Sequence, residues 1–116
     1  MSERSDDLLL ADIVECINKI YLYTEGMDLT DFLGDVKTQD AVSRNFEIIG
    51  EASARISQSI REAHPEIEWI KVKNFRNKII HDYFGTDYKL VWSIKENQLP
   101  ELLTLIQKVI SLLKNE

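Results

Sequence analysis

The amino-acid sequence predicts an all-α fold, an antiparallel helical bundle. Apolar residues recur at three- and four-residue spacing along most of the chain. No segment sustains the period-two alternation of a half-buried strand. Gly26, Gly34, Pro65, Gly85 and Pro100 fall between the periodic stretches, where helices must stop or restart.

Leu9, Ile13, Cys16, Ile17 and Ile20 share one face of a first helix. Ser5 is positioned to cap it, and Asp6 and Asp7 place negative charge at its positive end. The helix is expected to stop near Gly26. A turn with Thr30 as N-cap then leads into Asp31–Gly34. A second long helix is expected after Thr38, with Val42, Phe46, Ile49, Ile56 and Ile60 along one side, running to just before Pro65. Gly50 in its middle costs ~1 kcal/mol relative to Ala, which points to close approach of another helix. A third helix is read from Trp69 to about His81, ending at the Gly85 break. Thr86 or Asp87 caps a fourth. Pro100 marks a kink or restart at Leu99–Pro100, and Leu102, Ile106, Val109 and Leu113 form the stripe of a final helix. No repeat, low-complexity tract or linker interrupts the 116 residues, so residues 1–116 are read as one domain.

Hydrophobic residues at 44% and charged residues at 29% suit a globular core rather than disorder. No apolar run approaches the ~20 residues of a membrane span. The acidic N-terminal stretch does not resemble a signal peptide, so no membrane association and a cytoplasmic location are expected. One cysteine, Cys16, excludes an internal disulfide and reads as a core residue. A net charge of −6 and a pI near 4.9 argue against nonspecific coating of nucleic acid. They leave room for a local positive field.

Such a field is present. Lys71, Lys73, Arg76 and Lys78 put four cations in eight positions, beside His81. A solvated helix face would account for the charges alone. On a continuous helix, however, Asn77 and His81 nearly align, as do Arg76 and Tyr83, and all four fall within an arc of about 160°. That edge would combine a guanidinium, an amide, an imidazole and a phenol. RNA is cleaved when its own 2′-hydroxyl attacks the adjacent phosphorus, which calls for a base, a charge-stabilising group and an acid. An imidazole titrates near neutrality and serves as base or acid. A guanidinium fork matches phosphate oxygens. Asn77 can orient the imidazole or donate to phosphate, while Lys78 and Lys73 guide the RNA backbone. This chemistry requires no metal or other cofactor, and no Cys, His and carboxylate set shows ligand spacing. One histidine per edge leaves the reaction short of a second acid–base group, which a two-fold homodimer would supply. Arg-x4-His by itself is a weak pattern, and a histidine at a helix C-terminus is also favourable without catalysis.

The fuller string, Arg76-Asn-Lys-Ile-Ile-His81-Asp-Tyr83, resembles the Arg-x4-His-x-Tyr motif of HepT-type toxins within the HEPN superfamily. Phe46-Glu-Ile-Ile-Gly-Glu-Ala52 is similar to the second-helix signature of that family, and Trp69, Val91-Trp92 and Leu99-Pro100 are similarly placed. The resemblance spans about Asp6 to Leu113. Phe75 departs from it, standing where many members carry Met. The resemblance implies a homodimer of helical bundles with metal-independent endoribonuclease activity. It implies Arg76 and His81 as catalytic residues, with Asn77 in support. It further implies an MNT-type nucleotidyltransferase antitoxin that transfers AMP to the motif tyrosine, here Tyr83. The competing reading is a noncatalytic helical module that grips a nucleotidyltransferase partner or a nucleotide through Arg76, Lys78 and His81.

Other features favour plainer roles. Phe84, Tyr88 and Trp92, four apart, could stack bases but suit packing better. Glu47 and Glu51 read as a solvated or salt-bridged face rather than a metal site. Tyr21 and Tyr23 are expected to carry their hydroxyls to water. His64, before Pro65, reads as a helix-end residue.

Overall fold

The computed structural model describes residues 4–75 and 87–115. Seven helices and no strand occur among the described residues. They are α1 (Asp6–Tyr23), α2 (Leu29–Leu33), α3 (Val36–Arg55), α4 (Gln58–Ala63), α5 (Trp69–Lys73), α6 (Tyr88–Asn97) and α7 (Leu99–Lys114). The fold is an all-α helical bundle, as the periodicity predicts.

The apolar stripe of α1 is fully buried: Leu9, Leu10, Ile13, Ile17 and Ile20 are each at most 1% exposed. It packs chiefly on α3 and also on α7. From α3 come Val42, Phe46 and Ile49, and from α7 come Leu102, Ile106 and Val109, all buried. α5 packs on α3, and α2 lies against both α3 and α6. Cys16 belongs to this core, and burial pushes its thiol up to about 11, so it is an unreactive packing residue.

Several boundaries differ from the sequence reading, each for a local reason. Ser5 does occupy the N-cap of α1, although its side chain makes no capping hydrogen bond. α1 ends at Tyr23, and Gly26 follows at φ +78°, a left-handed conformation that glycine adopts without steric cost. The N-cap of α2 is Asp28 rather than Thr30. Asp28 and Asp31 exchange side-chain and backbone hydrogen bonds of 2.8 and 3.1 Å in a capping box. α3 starts earlier than expected, at Val36, because Asp35 caps it by accepting the Thr38 N–H at 3.0 Å.

The expected long second helix is two helices. α3 ends at Arg55, Ile56 turns extended, and Ser57 caps α4. The break is held from across the fold. The Asp6 carboxylate accepts the Ser57 N–H at 2.9 Å and the Ser57 hydroxyl at 2.6 Å. This also joins the start of α1 to the end of α3, so the two helices run antiparallel. Asp6→Ala is expected to lower stability by about 1–2 kcal/mol, the range for losing a cap and a charged hydrogen bond. In urea unfolding the midpoint should fall with an unchanged slope.

At the other end, Asp87 caps α6 by accepting the Leu90 N–H at 3.1 Å. Pro100 in the first turn of α7 marks the restart after Gln98. Tyr88 and Trp92 pack on Phe32, at ring-centroid distances of 6.1 and 5.3 Å, so this part of the aromatic stripe is structural. Tyr21 departs from expectation. Its hydroxyl is buried and has no hydrogen-bond partner among the described residues, and burial together with Glu96 raises its pKa. Tyr23 is exposed, as expected. No described helix is long and apolar enough to cross a membrane.

Candidate functional site

The helix leading into the basic motif is anchored at both ends. Trp69, only 8% exposed, opens α5 and donates its indole N–H to the His64 carbonyl at 3.0 Å. His64 is the C-cap of α4, and its ring nitrogen lies 3.3 Å from Glu66, in keeping with a helix-end role. Phe75, 2% exposed, sits edge-on to Phe46 with centroids 5.7 Å apart and planes at 85°. Between these anchors Val72 faces the core while Lys71 and Lys73 face solvent. Lys71 pairs with Glu68 at 3.3 Å. The two lysines occupy the last turn of α5, where cations complement the helix dipole.

Of the site residues expected from sequence, Lys73 is the one the structure describes, exposed at the end of α5. Arg76, Asn77, Lys78, His81 and Tyr83 lie outside the described residues, as does Phe84. The expected helix from Trp69 to about His81 is described only in its first part. α5 ends at Lys73, and Asn74 is its C-cap, with its N–H on the Ile70 and Val72 carbonyls. What is fixed is the frame: Phe75 immediately before the motif and Asp87–Tyr88 after it are both tied to the core.

Glu47 pairs with Arg44 at 3.6 Å and Glu51 is exposed, the solvated face expected of them. Among the described residues no three His, Cys, Asp or Glu side chains are grouped to hold a metal ion.

Sequence reasoning missed one feature beside the motif. A cavity of about 200 Å³ opens between α5 and the α6–α7 junction, with Phe75 in its wall. Its polar rim includes Glu68, Asn97, Gln98 and Glu101, and Leu102 and Leu105 line its floor. No local signal marks it, because its two walls meet only in the folded chain.

Comparison with known proteins defines the class as RNA-cleaving enzymes. The family described as "Ribonuclease HepT-like" matches residues 13–109, and the chain belongs to that family. The chain is 41% identical over 107 residues to the "Probable ribonuclease HepT" of Thermococcus cleftensis, covering 92% of this chain and 97% of that protein. Two Methanocaldococcus jannaschii proteins provisionally named as RNases are also similar. One is 34% identical across 100% of this chain and 96% of its own length. The other is 38% identical across 88% and 94%. No solved structure matches the chain.

Proposed function

We propose that this chain is a metal-independent endoribonuclease and the toxin of a HepT/MntA-type toxin–antitoxin pair. The observation that carries the reading is the ribonuclease family match, which runs through the whole Arg76–Tyr83 motif. Lys73, exposed at the end of α5 and without an ion-pair partner among the described residues, supports it by bringing positive charge toward that motif in a chain of net charge −6.

In this reading an imidazole takes the proton from a 2′-hydroxyl, which attacks the neighbouring phosphorus. The Arg76 guanidinium stabilises the added negative charge on the phosphorane oxygens. The departing 5′-oxygen receives a proton from a second acid. His81 supplies the imidazole, and the same residue of a second copy supplies the other acid–base group in a two-fold homodimer. Asn77 orients the ring, and Lys73 and Lys78 hold the RNA backbone. Both reacting oxygens belong to the RNA itself, so no metal-bound water is needed.

Neutralisation fits the same site. AMP transferred from ATP to the Tyr83 hydroxyl oxygen by a nucleotidyltransferase antitoxin, with pyrophosphate leaving, would add bulk and negative charge beside the cleft, repelling RNA phosphate. Expression of the chain alone is expected to arrest growth, and co-expression of the antitoxin to restore it. Intact mass should then show one added AMP on the wild-type chain and none on Tyr83→Phe. Continued growth with unmodified chain would contradict the toxin assignment.

A further inference from the structure

The cavity beside Phe75 is a pocket of unusual chemistry for a protein that handles RNA. Among the described residues, three carboxylates, from Glu66, Glu68 and Glu101, lie around it with one cation, Lys71. These carboxylates disfavour phosphate at their own positions. They offer acceptors for N–H groups instead. Glu66 is engaged by His64 and Glu68 by Lys71, each at 3.3 Å. Glu101, exposed in the first turn of α7, has no ion-pair partner among the described residues.

Two amides complement the acids. Asn97 and Gln98, at the α6–α7 junction, line the same rim; the Asn97 amide donates to the Ser93 hydroxyl at 3.2 Å, while Gln98 has no such bond among the described residues. The floor is apolar, formed by Phe75, Leu102 and Leu105. A cavity of about 150 Å³ suffices for benzene, so one of about 200 Å³ has room for a purine ring. Its wall residue Phe75 directly precedes Arg76, the first residue of the proposed catalytic motif, in the chain.

We infer that this pocket binds an unpaired guanine base of the RNA substrate and gives cleavage a guanine preference near the cut. The inference rests on the ribonuclease reading. Guanine presents N1–H and the N2 amine side by side, a donor pair that a single carboxylate accepts with both oxygens, as it accepts a guanidinium fork. The Glu101 carboxylate takes that pair, and the side-chain amide of Gln98 donates to O6. Adenine and cytosine offer one amine without the adjacent ring N–H. Uracil offers one ring N–H and no amine. RNA recognition commonly reads such splayed-out single-stranded bases on their Watson–Crick edges.

The test uses nucleosides, which carry no phosphate. Guanosine and inosine are titrated into the full chain while the methyl signals of Leu102 and Leu105 are followed. Inosine keeps N1–H and O6 but lacks the N2 amine. Guanosine should shift both residues and bind about tenfold more tightly than inosine, and Glu101→Gln should abolish that difference. Equal binding of the two nucleosides, silence at both leucines, or equal occupation by methylguanidinium would overturn the assignment, the last by showing a general cation pocket. The two readings also fail separately. RNA cleavage with a pocket that ignores guanosine removes the base preference and leaves the nuclease. Guanosine binding without cleavage of any RNA leaves the pocket and removes the nuclease.

Discussion

His81→Ala is expected to reduce RNA cleavage by about 10²–10⁴-fold, the range associated with losing a positioned acid or base. In the proposed reaction the 2′-hydroxyl is a poor nucleophile until its proton is taken, and the 5′-oxygen a poor leaving group until it is given one. If a homodimer supplies both groups from two copies of His81, one substitution removes both. The loss should appear in the single-turnover rate, with RNA binding nearly unchanged, because the lysines and Arg76 remain. Arg76→Lys makes an informative companion. It keeps the charge and loses the planar fork, so it should retain affinity and lose rate. A His81→Ala rate within about threefold of wild type would be too small for general acid–base catalysis and would reassign the histidine to a supporting role.

The second large effect concerns the frame. Phe46 is fully buried at the centre of α3 and meets Phe75 edge to face. Phe46→Ala is expected to cost about 3–5 kcal/mol, the transfer and cavity terms for a buried phenylalanine. That is a large share of the ~5–15 kcal/mol that holds a domain together. Because Phe75 precedes Arg76, loosening this contact also frees the start of the motif, so activity should fall even below the unfolding temperature. Phe46→Leu retains most of the apolar volume and should cost less than half as much. Urea unfolding of the three proteins checks this. A loss under about 1 kcal/mol for Phe46→Ala would mean that the site collapses around the deletion rather than depending on the ring.

Much of the frame was legible because it is written in local terms. The α1 stripe from Leu9 to Ile20 follows from spacing alone, and capping and proline geometry narrow the next boundaries to Thr86 or Asp87 and to a kink or restart at Pro100, of which the structure has the Asp87 cap and the restart. The misreadings come from contacts that spacing does not carry. The break between α3 and α4 has no glycine or proline, and is instead held by Asp6 reaching Ser57 from the start of α1, far away in sequence. The early start of α3 is the local exception, since Asp35 and Thr38 are both competent caps and Asp35 holds the position. Tyr21 was expected to reach water, and the fold buries its hydroxyl. The cavity could not be read, because Phe75 and Glu101 are brought together only by packing. For the chemistry the balance is reversed. The sequence order of Arg76, Asn77, His81 and Tyr83 carries the assignment, and the described structure contributes the anchored flanks and the lysines of α5.

The most direct test of the central claim is RNA cleavage by the purified chain in excess EDTA, after intact mass has established that Tyr83 carries no AMP. The account predicts that the unmodified chain cuts RNA at the same rate with and without the chelator, and that His81→Ala prepared alongside it does not cut. An unmodified wild-type chain that leaves RNA intact, or that cuts only when a divalent metal is restored, would contradict it.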